Sequence, residues 1–413
     1  MAIYDFAIGQ TNPDTFPVEE FKQAALRAID AEHDAFNRYP GNKGHEGLRR
    51  LMADRESQRE GVPVDFEQIA LMNGSMQAVT LVGQALMQGH DDLVITEEYT
   101  YSGTIGAYKG IGLEMVGIPL DDQGMRMDIL SDKLKELSDA GRLPRFIYTL
   151  TTYQNPTGTC MPVGRKEELI RIAAEYDLPL VEDNCYGDVH FEGEKVPSMY
   201  AMDDSPNQIY IGSLSKILAP GVRLGYLLAK EPMFSNIVNK RFDAGSNYFA
   251  SAVVAEFYRN GIWDHCEVAN PVLKVKRDLV NAGLIEHLSD TCVWSNPVGG
   301  LFMWVRLPED IDMQKLTTVA NEKGFFFAPG VAFHVDYANK PYIRLAFGHV
   351  PDDLIRKAFL YWHQRSKQPG PVMNAVILTV CLIDALLGLA GFNGGVHGQP
   401  MEIADPSICR MWS

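Results

Sequence analysis

The chain has 413 residues, 46% hydrophobic and 22% charged, enough to bury a large core and to form more than one structural unit. Its formal net charge of -16, with scattered basic residues, excludes a nucleic-acid partner, whose phosphates would be repelled. Six cysteines (Cys160, Cys185, Cys266, Cys292, Cys381 and Cys409) are widely spaced with no CxxC pair and no Cys/His grouping. Neither a metal site nor a disulfide framework is therefore expected. The opening MAIYDFAIGQTNPDTFP lacks a basic region followed by an apolar core, so it does not read as a secretory signal, and a cytoplasmic location is expected.

From Asp65 onward, short apolar runs alternate with longer helical patterns, the signature of an α/β sheet. Buried strands are predicted at 93–96, 113–118, 146–150, 178–181, 208–211 and 224–228. A helix at 165–176 places Leu169, Ile172 and Ala173 on one face. A long helical region follows over 251–288. The text then changes to PVGGLFMWVRLP, KGFFFAPGVAF and YIRLAFGHV, read as strands of a smaller C-terminal unit closed by a helix over 351–364. Beyond it, residues 372–392 are strongly apolar, with Asn374, Thr379 and Asp384 as the clearly polar members. That length suffices to span a bilayer, but Asp384 would cost roughly 2.5–3.5 kcal/mol there. A helix packed on the protein or on a second copy is favoured over membrane contact.

The strongest chemical signal is SLSKILAPGVRLGY, from Ser213 to Tyr226. A strand delivers a Ser-rich turn, then Lys216, then Pro-Gly, then Arg223. A lysine that forms an imine must be deprotonated, which needs desolvation or cationic neighbours. Beside it, the hydroxyls of Ser213 and Ser215 and the Arg223 guanidinium would make a phosphate cradle. A lone lysine after a strand would be an exposed loop residue; the fourteen-residue string is far more specific.

The string resembles the lysine motif of fold-type I pyridoxal-phosphate (PLP) enzymes in the class I/II aminotransferase family. It is most similar to the branch with 2-aminoadipate and kynurenine aminotransferases and the aminotransferase-like domains of MocR regulators. The likeness runs from about residue 8 to about residue 365. It implies an α/β fold: a large domain with a mixed, mostly parallel seven-stranded sheet flanked by helices, and a smaller α+β domain. The implied division is an N-terminal arm and dimer-contact segment at 1–50, a PLP-binding domain at 51–285, a small domain at 286–366 and a tail at 367–413.

The resemblance also assigns roles, residue by residue. Lys216 holds pyridoxal 5'-phosphate as a Schiff base. In LVEDNCYGDVHF, Asp183 would keep the pyridine nitrogen protonated, which the cofactor needs to store carbanion electrons; Glu182 has the opposite strand parity and should point elsewhere. Tyr186 would donate to the cofactor's phenolate oxygen, as would Asn155 in TTYQNPTGTCMP. Cys185 reads as a small packing residue rather than a reactive thiol. In MNGSMQAVTLVGQAL, a helix starts after Gly74, and Ser75, Met76 and Gln77 would bind phosphate at its N-terminus. In ITEEYTYSGT, Tyr101 rather than Tyr99 is the ring expected to stack on the cofactor, because Gly103 matches the family glycine. Arg344 in YIRLAFGHV would clamp the substrate α-carboxylate, with Asn155 and the backbone at Gly9 also near the substrate. In NRYPGNKGHEGLRRLM, Tyr39 is a candidate phosphate ligand donated across a homodimer with shared active sites, while His45 reads as a turn residue rather than a proton shuttle.

The reaction this implies is amino-group transfer between an L-amino acid and a 2-oxo acid with ping-pong kinetics. β-Elimination, oxidation or decarboxylation would use the same residues. A non-catalytic regulatory module is disfavoured because the motifs begin within ten residues of the start, with no helix-turn-helix ahead of them.

Overall fold

Seven strands form the central sheet of the computed structural model, which describes residues 3–89 and 92–360. In chain order they are β1 (Ile69–Met72), β2 (Leu93–Glu97), β3 (Glu114–Ile118), β4 (Phe146–Thr149), β5 (Leu180–Asp183), β6 (Gln208–Ser213) and β7 (Gly225–Ala229). Their spatial order is β1-β7-β6-β5-β4-β2-β3. Within this sheet β7 runs antiparallel to both neighbours, and the strands from β6 to β3 are parallel. Every residue of β1, β2 and β4–β7 is buried. A sheet covered on both faces requires such continuous apolar runs.

Six of these strands lie where the apolar runs predict them. β1 was not anticipated: four residues between a 3-10 turn and Asn-Gly are too few for periodicity to identify. β5 starts two residues later than expected and extends to Asp183, which pairs with Ile211 of β6. This strand directionality gathers the C-terminal ends of β1, β2, β4, β5 and β6 on one edge. Because β7 is reversed, its N-terminal end lies there too. Ligands of open α/β sheets bind outside that edge.

Helices cover both faces: α2 (Glu46–Glu60), α3 (Ser75–Leu86), α4 (Ser102–Gly110), α5 (Met127–Asp139), α6 (Val163–Glu175), α7 (Tyr248–Tyr258) and α8 (Asp264–Leu288), while α1 (Val18–Glu32) packs on α7 through Ala24 and Ala28 against Ala252 and Val253. One face packs Leu48, Met52, Val79, Val82 and Ile105. The other packs Leu130, Leu134, Leu169, Ile172 and Ala173, including the stripe expected on α6. The single helical region predicted over 251–288 is two helices, α7 and α8. Gly261 lies at the break, where a Cβ would collide with the Asp264 carboxylate that begins α8.

α8 carries residues of two cores, Leu273 in the first and Val280, Leu284 and Leu288 in the second. The second core lies on a four-stranded sheet of β8 (Val293–Trp294), β9 (Phe302–Arg306), β10 (Ala328–Pro329) and β11 (Tyr342–Ala346), with helices α9 (Met313–Glu322) and α10 (Asp352–Leu360). Met303, Val305, Ile343 and Leu345 enter that core. Alternation puts Phe302, Trp304 and Arg344 on the opposite face, where Trp304 and Arg344 are directly paired. The chain start is laced into this unit. Tyr4–Asp5 pairs with Phe325–Phe326, and the Ala346 amide donates to the Phe6 carbonyl at 2.8 Å. The end of the predicted closing helix, the 366 boundary and the apolar segment at 372–392 lie outside the described residues. Among the described residues no helix is long and apolar enough to cross a membrane.

Candidate active site

Lys216 lies three residues past the end of β6. Its Nζ donates to the Gly9 carbonyl at 2.7 Å. Burial, with Arg344 and Arg223 nearby, depresses its pKa to about 8, against a raising influence from Cys185. Gly9 itself is packed against the small unit: a Cβ there would lie 2.9 Å from the Phe302 ring and 3.9 Å from Arg344 Nη2. A chain of net charge -16 thus brings three cationic side chains to one edge of its sheet.

Arg344 projects from β11 and is 6% exposed. Nη1 donates to Asn155 Oδ1 at 2.9 Å and Nη2 to the Ala7 carbonyl at 2.6 Å. Its guanidinium carbon lies 4.3 Å and 4.7 Å from the ring centres of Phe302 and Phe333. Among the described residues no carboxylate pairs with it, and Nε is buried without a partner. Burial lowers its pKa to about 10. A buried, oriented guanidinium with no resident anion is the arrangement a carboxylate ligand completes.

Asn155 follows β4 in the turn that the Asn-Pro-Thr-Gly run forms. While its Oδ1 holds Arg344, its Nδ2 donates to the Tyr186 hydroxyl at 3.3 Å. Tyr186 is buried, and its ring meets Phe302 edge-on at 5.5 Å. Asp183, at the end of β5, accepts from the Tyr148 hydroxyl at 2.7 Å on Oδ2. Its Oδ1 is buried with no hydrogen-bond partner among the described residues. Burial raises the Asp183 pKa, opposed by Cys185 and Tyr148. Glu182 lies on the other side of β5, as its parity predicts, within 3.1 Å of Lys166 Nζ. Burial and Asp183 push the Cys185 thiol well up. That holds Cys185 in its neutral, unreactive form.

Gly74 precedes α3 with φ +85°, and no side chain among the described residues caps the helix. Its first amides are therefore available to an anion. A Cβ on Gly74 would run into the Arg223 guanidinium, so the helix start and Arg223 adjoin directly. Arg223 itself is left-handed, with φ 51°. Ser213 and Ser215 are buried close by, the Ser215 amide donating to Ser213 Oγ at 3.2 Å. Gln77 is otherwise engaged. Its amide closes on the Gly74 carbonyl at 3.2 Å, and its side-chain amide reaches the Asp243 carboxylate at 2.5 Å. Of the three residues named at the start of α3, Gln77 thus has both its backbone and its side-chain amide committed elsewhere.

Tyr101 caps α4 and feels the charges of Arg344, Asp183 and Arg223, so its ring lies among the site groups. Tyr99 lies instead in an aromatic cluster with Trp304, His334 and Tyr342 at centroid distances of 5.3, 5.0 and 5.4 Å. His45 is the N-cap of α2: its Nδ1 accepts the Leu48 amide at 3.0 Å, and Nε2 faces Glu32 at 2.9 Å. Tyr39 is 88% exposed and makes no hydrogen bond among the described residues. The sequence reading missed Tyr148, Phe302, Phe333 and the Ala7 carbonyl. Each lies in an ordinary apolar run, and only the packing singles it out.

The residues present fit pyridoxal phosphate. Asp183 Oδ1 has no partner among the described residues and could accept from a ring N–H, Asn155 Nδ2 and the Tyr186 hydroxyl lie together where they could meet a phenolate oxygen, and the start of α3 adjoins Arg223, as an anion site would require. Fold and site define a fold-type I PLP enzyme. Residues 3–359 match the family model for aminotransferase class I and II. The chain is 34% identical over 359 residues to aromatic-amino-acid aminotransferase 1 of Thermococcus litoralis, covering 86% of each chain. Among solved structures it is similar to a multiple substrate aminotransferase from Thermococcus profundus (TM-score 0.81, 35% identity, 86% of this chain and 89% of that one). It is similar also to Pyrococcus horikoshii kynurenine aminotransferase (TM-score 0.82, 32% identity, 86% and 89%). The chain belongs to the class I and II aminotransferase family and is a PLP-dependent transaminase, acting on amino acids and 2-oxo acids.

Proposed function

We propose that Arg344 binds the α-carboxylate of the amino acid and of the 2-oxo acid, and that Lys216 both anchors the cofactor and moves the α-proton. The observation that carries this reading is the buried Arg344 guanidinium, oriented by Asn155 and Ala7 but without a carboxylate partner among the described residues. A bidentate carboxylate there fixes the substrate's orientation, and orientation selects which bond to Cα breaks. When bound, the cofactor supplies an electron sink for the carbanion at Cα. Lys216 Nζ, its pKa depressed to about 8, would take the proton from Cα as a general base and then, as a general acid, return it at the cofactor's C4′ carbon. Asp183 balances the protonated ring nitrogen, and Asn155 with Tyr186 holds the phenolate oxygen. Ser75, Met76, Ser213, Ser215 and Arg223 hold the phosphate, and the Tyr101 ring packs on the pyridine. Kinetics are ping-pong, because one site serves both half-reactions.

Three further readings accompany this one. The working unit is a cytoplasmic homodimer in which Tyr39 reaches the partner's phosphate site; its 88% exposure supports that reading. Residues 51–285 and 286–366 act as two domains joined through α8. The accepted side chains include aromatic ones, which the Phe302 and Phe333 rings beside Arg344 and the names of the similar enzymes support.

The test is a panel of amino acids, including phenylalanine, tyrosine, kynurenine, leucine and glutamate. It follows the visible spectrum of the cofactor and free ammonia in parallel, in the native enzyme and in Arg344→Lys. Conversion to pyridoxamine phosphate without ammonia is expected. Arg344→Lys should raise KM by about ten- to hundredfold, the loss of a charge-assisted bidentate contact. Ammonia release in the absence of a 2-oxo acid would overturn the transamination reading of this site.

A further inference from the structure

Tyr148 and Thr104 belong to neither the cofactor's contact residues nor the substrate's, yet both are fully buried and aligned on Asp183. Tyr148 lies on β4, beside β5, and its hydroxyl is 2.7 Å from Asp183 Oδ2 and 2.9 Å from Thr104 Oγ. Thr104 comes from the first turn of α4, three residues after Tyr101. An ionised carboxylate only accepts hydrogen bonds. The Tyr148 proton therefore points at Asp183, and the Thr104 hydroxyl must donate to the Tyr148 oxygen. The result is a directed chain, Thr104 to Tyr148 to Asp183 Oδ2, that leaves Oδ1 as the orphaned acceptor.

This inference rests on reading Asp183 as the partner of the cofactor's ring nitrogen. We propose that Tyr148, backed by Thr104, is a positioning residue that keeps Asp183 ionised and commits its Oδ1 to that nitrogen. A carboxylate that is 3% exposed tends to take up a proton unless donors hold its charge. A neutral Asp183 would no longer balance a protonated ring. Burial and the Asp183 charge push the Tyr148 phenol well above its usual range, so it remains a donor throughout the working pH range. The other titratable groups near Asp183 do not replace it. Cys185 also hydrogen-bonds Asp183 through its thiol and its backbone, but its neutral thiol is a weak donor, and Glu182 is paired with Lys166 on the other face of β5. Tyr108 packs edge-on to Tyr148 at 5.6 Å, but its hydroxyl has no hydrogen-bond partner among the described residues. It provides an internal control for removing a buried hydroxyl from the same cluster.

The experiment compares native holoenzyme with Tyr148→Phe, Tyr108→Phe, Thr104→Val and Asp183→Asn. One readout is the dissociation constant for pyridoxal phosphate; the other is the pH midpoint of the visible absorbance of the lysine-bound cofactor. A ring nitrogen that loses its positive charge leaves the nearby Lys216 nitrogen more basic, so the midpoint moves up. Tyr148→Phe should weaken cofactor binding roughly tenfold and raise the midpoint by about half a unit to one unit, the scale of one hydrogen bond to a charged group. Thr104→Val should shift both in the same direction by less, through the weakened second link, and it carries the test should Tyr148→Phe not fold. Tyr108→Phe should leave both unchanged. Folded Tyr148→Phe with native values on both readouts would overturn the proposal, as would an equal shift in Tyr108→Phe. If Asp183→Asn is also without effect, the assignment of Asp183 itself falls; if Asp183→Asn shifts and Tyr148→Phe does not, only the role of Tyr148 is lost.

Discussion

Lys216 owes its chemistry to its surroundings more than to its place in the motif. An ammonium ordinarily loses its proton near pH 10.5, but here burial and the two guanidiniums lower that to about 8. The protonated form dominates below that value and the nucleophilic free amine above it. The rate at which the cofactor-free chain captures pyridoxal phosphate should therefore rise through an inflection near pH 8, as stopped-flow absorbance would show. A rate still climbing tenfold per unit at pH 9.5 would mean that the side chain is not shielded as described. Motif and environment were unequally legible here. The string from Ser213 to Tyr226 was enough to single out Lys216 and Arg223, whereas Gly9, whose carbonyl receives the amine at 2.7 Å, carried only a weak signal. Backbone carbonyls have no sequence signature, since every residue has one.

At the scale of elements, the N-terminus of α3 shows how a turn makes an anion site. Gly74 adopts φ +85°, a region costly to residues with a Cβ, and its bare α-carbon lets the Arg223 guanidinium close against the helix start. Gly74→Ala should raise the dissociation constant for pyridoxal phosphate by about ten- to hundredfold, the equivalent of one displaced charge-assisted hydrogen bond of roughly 1.5–3 kcal/mol. Equilibrium dialysis checks this, with circular dichroism to confirm the fold; unchanged affinity would detach Gly74 and Arg223 from the phosphate. The helix start itself was readable from Asn-Gly-Ser after an apolar run. What was not readable was the fate of Gln77, whose amide and side chain are already engaged by Gly74 and Asp243. Asp243 lies far along the chain, and its approach to α3 depends on tertiary packing. Strand β1 escaped for a different reason: four apolar residues carry too little periodicity to separate strand from helix.

For the whole molecule, the exposed Tyr39 makes the question of shared sites testable by complementation. Neither Lys216→Ala nor Tyr39→Phe homodimers should combine both native groups in one site. If Tyr39 acts across the interface, a heterodimer of the two variants contains one site with both, and co-expression should recover activity well above the sum of the separate proteins. No recovery, with heterodimers shown by mass spectrometry, would place Tyr39 outside the partner's site. By itself the sequence determined the α/β class, six of the seven central strands, the family and its cofactor, because these follow from local apolar runs and contiguous motifs. It also separated Asp183 from Glu182, since strand parity is a local property. Only the tertiary structure decided that Arg344 is buried without a carboxylate partner among the described residues, that the Tyr148 hydroxyl meets Asp183 from the neighbouring strand, and that Phe302 and Phe333 flank the guanidinium. Those relations join residues far apart in the chain, and they depend on two sheets meeting at one edge, which no local pattern encodes.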